Sequence, residues 1–190
     1  MRPCDRTTNE TPSRPKPRDV IEQFFLGNIR PGSTVLDLGC GDGRLALTIA
    51  RRVAGTTIEC LDGDRVRVRR VESRFRKSAE SSRLSCRRGY ADELPRLFGR
   101  SSFDSVIINN AFHEFWSPVR SLRAARAVLK PRGAILIAEL TPQAGETVDD
   151  CPRYSRAKIR ELIERAGLRV VPLKAGLRAR GDAILIRVMR

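Results

Sequence analysis

An acidic residue followed by three glycines at alternate positions is the most informative pattern in the chain. Asp37 belongs to a run with strand propensity, and Gly39, Gly41 and Gly43 follow before an amphipathic segment over 45–54. Glycine is needed where a chain turns sharply, or where a ligand approaches the backbone without a Cβ in the way. A strand, a tight turn and a helix in this order place a ligand at the helix N-terminus, above the carboxyl end of a parallel strand. The pattern therefore predicts a ligand site at this turn.

The residues around the turn narrow the choice of ligand. A dinucleotide fingerprint would need a glycine where Arg44 stands, and a phosphate-binding loop would need Gly-Lys followed by Ser or Thr, which the turn lacks. The carboxylate of Asp37 would repel a phosphate but could pair with a cationic ligand. The turn thus favours a ligand with positive charge and no phosphate.

Two acidic residues, Asp62 and Asp64, follow the next predicted strand, which covers residues 57–61. Asp62 comes 23 residues after Gly39 and should lie on the neighbouring strand end. A carboxylate there can accept hydrogen bonds from both ribose hydroxyls of a nucleoside. The alternative is that Asp62 or Asp64 caps the following helix. We assign Asp62 to the ribose and Asp64 to the cap.

Strands and helices alternate along most of the chain, which predicts an α/β fold with a mostly parallel sheet and helices on both faces. The polar, proline-rich residues 1–18 are predicted to be a disordered arm, and 19–190 to be one domain. The last two strands, joined through 178–181, should supply an antiparallel C-terminal edge. The predicted strands are 34–38, 57–61, 84–88, 103–109, 134–140, 168–173 and 183–188, and the predicted helices are 19–28, 45–54, 65–81, 119–129 and 155–166.

Composition limits the remaining possibilities. The 190 residues carry a formal net charge of +15, and residues 65–88 hold ten Arg or Lys against two Glu. This basic region could contact nucleic acid, or it could be a solvated helix face in an arginine-rich protein.

Five scattered cysteines without a Cys-x-x-Cys pair argue against a disulfide framework or a metal site. Without a signal-like or membrane-length apolar run, the expected location is cytoplasmic, with no membrane contact.

The spacing D-x-G-x-G-x-G at 37–43 resembles the first motif of the class I S-adenosylmethionine-dependent methyltransferases. Gly-Tyr-Ala-Asp-Glu-Leu-Pro at 89–95, Lys-Pro-Arg-Gly at 130–133 and the segment 155–167 resemble later segments of that family, in the family's order. The resemblance covers residue 19 to the C-terminus. It implies a seven-stranded Rossmann-like fold and S-adenosyl-L-methionine as cofactor, with S-adenosyl-L-homocysteine as product.

The resemblance also implies which residues hold the cofactor. Tyr90 stands where the family usually has an acidic residue, so it could stack on the adenine, offer its hydroxyl or pack on the sheet edge, while Asp92 could take over the polar contact. The expected cofactor-binding residues are Asp37, Gly39, Gly41, Asp62, Tyr90, Ala91 and Asn109.

The acceptor pocket of such a fold would be built from 19–28, 110–116 and 141–153. Phe112, Phe115 and Trp116 could line an apolar pocket. His113 is the only histidine and adjoins Glu114, so both a proton-transfer role and a capping or packing role stay open for it. We assign no catalytic residue, because the leaving group of a sulfonium methyl transfer departs neutral and needs no proton.

These observations predict a methyltransferase that acts on a small molecule, because none of the three pocket segments is large and no separate substrate domain exists. Three alternatives remain: an RNA or protein methyltransferase that uses the basic region, a non-catalytic cofactor-binding subunit, and an NAD-dependent oxidoreductase. Arg44 makes the last of these the weakest. The oligomeric state does not follow from the sequence.

Overall fold

The computed structural model describes residues 17–140, 153–173 and 183–189, and these form a chain of alternating helices and strands. Two short 3-10 segments, Ser81–Arg83 and Phe112–Glu114, interrupt the alternation. The helices and strands are α1 Pro17–Asn28, β1 Thr34–Leu38, α2 Arg44–Arg52, β2 Thr57–Asp62, α3 Arg65–Arg76, β3 Leu84–Arg88, α4 Leu94–Phe98, β4 Phe103–Asn109, α5 Pro118–Val128, β5 Leu129–Leu140, α6 Arg156–Arg165, β6 Arg169–Val171 and β7 Ala183–Met189.

The seven strands form one sheet in the order β3-β2-β1-β4-β5-β7-β6. The first five strands along the chain pair in parallel, and β7 pairs antiparallel with both β5 and β6. The predicted fold class is confirmed, with the antiparallel strand β7 inserted between β5 and the edge strand β6. Since β1 lies between β2 and β4, the strand order reverses beside β1, and ligands bind at such a point above the carboxyl ends of the strands.

Each face of the sheet carries its own apolar layer. Side chains of a strand alternate between faces, so Val35 packs with the side chains of α1 to α3 and Leu36 with those of α4 to α6. Both residues are fully buried. The first layer includes Phe24, Phe25, Ile49 and Val71, and the second includes Leu94, Leu122 and Ile159. Helices therefore cover both faces, and the open edge is the row of strand ends.

Two predicted helix boundaries differ from the structure, and one helix was not predicted, for identifiable reasons. Helix α1 begins at Pro17, inside the predicted disordered arm, because proline is tolerated in a first turn. Helix α3 ends at Arg76 rather than Ser81, since no buried apolar residue follows Phe75 before Leu84 to anchor a further turn. Helix α4 was not predicted; its five residues are too few to show a helical period. Residues 1–16 and the predicted loop 178–181 lie outside the described residues.

Residues 130–133, which separate the predicted helix 119–129 from the predicted strand 134–140, form a bulge within β5 rather than a break before it. Leu129 pairs with Phe103 and Ala134 with Ser105, so five residues of one strand advance against two of the other. Arg132 takes a positive φ of 66° in this bulge, where glycine would be less strained. The other predicted boundaries differ by one or two residues.

No helix in the part of the chain that the structure describes is long and apolar enough to cross a membrane.

Candidate functional site

A cleft of about 780 Å³ opens above the carboxyl ends of β1, β2 and β4. This volume is within the range of small-molecule and cofactor sites. Its wall contains six of the seven predicted site residues, which lie up to 70 positions apart in the sequence. These six are Gly39, Gly41, Asp62, Tyr90, Ala91 and Asn109.

The glycine turn after β1 forms the floor of the cleft. Gly39 has a φ of 75°, and a Cβ built on it would lie 2.6 Å from Cβ of Ala111. The amide of Gly39 donates to the carbonyl of Leu61 at 2.8 Å, which ties the turn to the end of β2. Only glycine fits this position, because a side chain would be both strained and in collision with the segment after β4.

Asp62 joins the end of β2 to the same turn. Its Oδ2 accepts from the backbone N–H of Gly41 at 3.0 Å, and its Oδ1 accepts from the backbone N–H of Asp64 at 2.9 Å. A carboxylate has about four acceptor positions, so two remain for a ligand in the cleft. The carboxylate is thus held in place before any ligand arrives.

Asp64 caps α3, as the sequence predicts. Its Oδ1 accepts from the backbone N–H groups of Val66 at 2.6 Å and Arg67 at 3.0 Å. The bonds from Arg67 and Val66 lower the pKa of Asp64. The two neighbouring aspartates therefore have different roles: Asp62 holds the glycine turn, and Asp64 caps α3.

Asp37 is the predicted site residue that the structure does not bring into the cleft. It is 1% exposed, on the sheet face that packs against α1 to α3, and neither carboxylate oxygen has a hydrogen-bond partner among the described residues. Burial, and then the negative charges of Asp62 and Asp42, raise the pKa of Asp37 from 3.8 to about 7. Asp37 thus lies beneath the turn and does not line the cleft, and its pairing with a cationic ligand stays a prediction.

The buried Asp37 should make the stability of the protein depend on pH. Its pKa is about 7 in the fold and 3.8 without it, so its stabilising effect is fully present below pH 4 and is lost as the pH rises to 7. This loss amounts to roughly 4 kcal/mol at most. In urea unfolding at pH 5 and pH 8, the wild-type protein should lose more free energy of unfolding than Asp37→Asn. Parallel pH profiles in the two proteins would contradict this account.

Tyr90 and its neighbours form the wall after β3. The Tyr90 side chain is 56% exposed, and its ring lies so close to Gly63 that a Cβ there would be 3.0 Å from the ring. Ala91 and Asp92 follow it along the cleft, and an oxygen of Asp92 lies 3.5 Å from Arg120. The ring therefore presents a face at the cleft instead of being buried in the sheet edge.

The opposite end of the cleft is formed by the segment after β4. Asn110 has a φ of 50°, and its Oδ1 accepts from Arg153 at 2.6 Å. Phe115 and Trp116 line the cleft, with Trp116 fully exposed, as the sequence analysis expects of an apolar pocket wall. Phe112 is instead fully buried below them and does not line the cleft. Of the predicted pocket segment 141–153, only Arg153 is among the described residues.

His113 is buried against a partner that sequence reasoning missed. Its Nδ1 lies 2.6 Å from Oε2 of Glu139, and both side chains are 2% exposed. The sequence analysis predicts 134–140 as a strand but assigns no role to Glu139, its acidic member. A carboxylate in a buried strand needs a partner, and that requirement could have pointed to the single histidine.

The basic region on α3 and β3 lies mostly in solvent. Three of its arginines also form ion pairs at the surface: Arg67 with Asp64 at 3.9 Å, Arg74 with Asp42 at 3.5 Å and Arg87 with Glu59 at 2.6 Å. The charged side chains on the described wall of the cleft are mainly carboxylates, with Arg67 as the cationic side chain. The cleft carboxylates are Asp42, Asp62, Asp64, Asp92 and Glu114. Within the described ranges, no group of three or more His, Cys, Asp or Glu side chains is arranged to hold a metal ion.

Comparison with known proteins identifies a methyltransferase domain in this chain. A family described as "Methyltransferase domain" matches residues 35–133. A ubiquinone biosynthesis O-methyltransferase from Xanthomonas campestris pv. campestris is 33% identical over 116 residues, 60% of this chain and 46% of that protein. A ribosomal protein L11 methyltransferase from Cupriavidus necator is 34% identical over 99 residues, 52% of this chain and 30% of that protein. The chain thus spans less than half the length of these curated relatives.

A solved structure supports the fold over nearly the whole chain. The crystal structure of a SAM dependent methyltransferase from Aquifex aeolicus matches with a TM-score of 0.73 and 21% identity. The match covers 91% of this chain and 88% of the other. At this identity the likeness establishes the fold alone.

Proposed function

We propose, from the premise that this chain belongs to the class I S-adenosylmethionine-dependent methyltransferases, that it transfers a methyl group from S-adenosylmethionine to a small-molecule acceptor. The observation that carries the proposal is the cleft in which the glycine turn and the anchored carboxylate of Asp62 meet. Both features suit a nucleoside ligand without phosphate, because the floor is open backbone and the wall is acidic.

The residues of the cleft divide between the parts of the cofactor. In this proposal the two free acceptor positions of Asp62 receive the ribose hydroxyls, and Tyr90 and Ala91 flank the adenine. Gly39 and Gly41 leave room for the chain of the amino acid, with Asn109 beside it. The acidic wall attracts the positive sulfonium and ammonium groups, and Asp37 adds a further acidic group beneath the turn.

Methyl transfer from a sulfonium depends on the relative positions of the cofactor and the acceptor more than on a reactive side chain. The bound cofactor supplies an activated methyl group on a sulfonium sulfur. The work of the chain is to hold the acceptor in line with that methyl group and to exclude water, which can supply an effective molarity of roughly 10⁵ M or more. Phe115 and Trp116 are the apolar surfaces at the end of the cleft that would orient the acceptor.

The charge distribution favours a small acceptor over RNA. The basic side chains of α3 could attract the phosphates of an RNA. Those phosphates would then be repelled by the five carboxylates on the described wall of the cleft. A protein acceptor stays the second candidate, since the relative from Cupriavidus necator is named for the ribosomal protein L11. A cytoplasmic location is part of the proposal.

Isothermal titration calorimetry of the purified protein tests the cofactor assignment. S-adenosylmethionine and S-adenosylhomocysteine should both bind, and NAD should not. Incubation with methyl-labelled cofactor and separate metabolite, RNA and protein fractions then tests the acceptor. Label confined to RNA or protein would exclude the small-molecule proposal, and binding without transfer would favour a non-catalytic subunit.

A further inference from the structure

A chain of three side chains leads from the cleft into the core. Glu114 lines the cleft with its side chain 55% exposed, and its Oε1 lies 3.8 Å from Nε2 of His113. The other ring nitrogen of His113, Nδ1, lies 2.6 Å from Oε2 of Glu139. One end of this chain is therefore in solvent and the other is fully enclosed.

Glu139 is fixed at both of its oxygens. Its Oε1 accepts from the backbone N–H of Phe112 at 2.7 Å, and its Oε2 is the partner of His113. An ionised carboxylate only accepts, so Nδ1 of His113 must carry the hydrogen of this contact. In the neutral ring Nε2 then has a free electron pair, and it lies 3.8 Å from Oε1 of Glu114.

The buried carboxylate of Glu139 needs partners, but this need does not by itself require an imidazole. The bond to the Phe112 amide already ties the 112–114 segment to β5, and any neutral donor could satisfy the second oxygen. The imidazole adds a basic nitrogen next to the carboxylate that lines the acceptor end of the cleft. The charged groups that face His113 among the described residues are Glu139 from β5 and Glu114 from its own segment.

We propose, on the basis of the methyltransferase function above, that the acceptor is a hydroxyl compound and that Glu114 removes its proton, with His113 and Glu139 as positioning residues. A hydroxyl oxygen is a poor nucleophile until its proton leaves, whereas a neutral amine already has a free electron pair. A general base next to the acceptor would therefore serve oxygen methylation above all.

The proposed step balances in atoms and electrons. The O–H bond of the acceptor breaks and its proton goes to the carboxylate of Glu114, while the electron pair of the oxygen forms the new bond to the methyl carbon. The carbon–sulfur bond breaks, and its electron pair stays on the neutral sulfur of the product. Nε2 of His113 receives the proton from Glu114, and Glu139 stabilises the imidazolium. The proton later returns to water through the exposed Glu114.

The first measurement needs no acceptor. The single histidine gives one pair of imidazole nitrogen signals in ¹⁵N NMR. The wild-type spectrum should show a neutral ring with the hydrogen on Nδ1, and Glu139→Gln should reduce that preference. A neutral ring with its hydrogen on Nε2 in the wild-type protein would overturn the proposal, because no free electron pair would then face Glu114.

The second measurement identifies the methylated atom. Wild-type protein is incubated with a small-molecule cell extract and S-adenosylmethionine that carries a ¹³C-methyl group, and the products are examined by NMR. The methyl group should be found on oxygen. Glu114→Gln should then lower kcat for that product by about 100-fold or more, and the fall in rate of the wild-type enzyme at low pH should disappear. The exposed Glu164→Gln is the matched control and should keep the wild-type rate.

The outcomes separate this inference from the function on which it rests. If wild-type protein does not bind S-adenosylmethionine, or binds it and transfers no methyl group, the proposed function fails and the inference with it. If methyl transfer occurs only to nitrogen, sulfur or carbon, or Glu114→Gln keeps full kcat, the inference fails and the function stands. Binding of S-adenosylmethionine within 2-fold of wild type by Glu114→Gln verifies that the variant folds.

Discussion

Replacement of Asp62 by alanine should weaken binding of S-adenosylmethionine by about 100-fold or more. The variant loses two hydrogen bonds to a charged acceptor, worth roughly 3 kcal/mol or more together, if both ribose hydroxyls bind the carboxylate. It also loses the contact from Oδ2 to the amide of Gly41 at 3.0 Å, so the glycine turn is released from the end of β2. Calorimetric titration of the wild-type and variant proteins measures the difference.

Two neighbouring variants separate ligand contact from general damage. Asp62→Asn keeps one oxygen acceptor and should fall between wild type and Asp62→Ala. Asp64→Ala removes the α3 cap, which should lower the stability of the protein and leave cofactor affinity within a few-fold of wild type. Equal loss of binding in Asp64→Ala and Asp62→Ala would show that the assignment of the ribose to Asp62 is wrong.

Replacement of Gly39 by alanine should abolish measurable cofactor binding and destabilise the protein by roughly 2–5 kcal/mol. The new Cβ would lie 2.6 Å from Cβ of Ala111, in a backbone with a φ of 75°. The turn and the segment after β4 must then move apart, and these are two walls of the cleft. Urea unfolding and calorimetric titration report the two effects separately.

Gly32 provides a matched control for the backbone strain. Its φ is 74°, but a Cβ there would have nothing within 4 Å, and it precedes β1 at the end opposite the cleft. Gly32→Ala should cost roughly 1–2 kcal/mol and keep cofactor binding. The double variant Gly39→Ala with Ala111→Gly relieves the collision and should recover part of the affinity. Loss of binding in Gly32→Ala to the same extent would mean that strain alone explains the effect at Gly39.

Several features of the fold could be predicted from local pattern. The strands 34–38, 84–88 and 103–109 have the predicted bounds, because each is an extended run closed by turn residues or glycine. Asp64 was predicted as a cap from its place before a helical segment, and its side chain accepts hydrogen bonds from two backbone N–H groups of α3. Such features depend on residues within a few positions of one another, so the sequence alone contains the information.

The bulge in β5 and the short helix α4 were beyond local pattern. The bulge exists because β5 pairs with β4 on both sides of it. The types of residues 130–133 do not by themselves indicate that pairing. Helix α4 is held by Leu94, which is fully buried in the layer that also contains Leu122. Both features are consequences of contacts between distant segments, which override local preference.

The sequence by itself determined the glycine turn, the strand ends that carry Asp62 and Asn109, and the order of the elements that brings them to one edge of a sheet. Only the tertiary structure decided that Asp37 lies beneath the turn and that Glu139 holds His113 behind Glu114. The physical reason is that a residue's place along a strand follows from its period of two, whereas its partner across the sheet depends on which strands are neighbours. Chemistry that needs two distant side chains is fixed only when the strands that carry them pair.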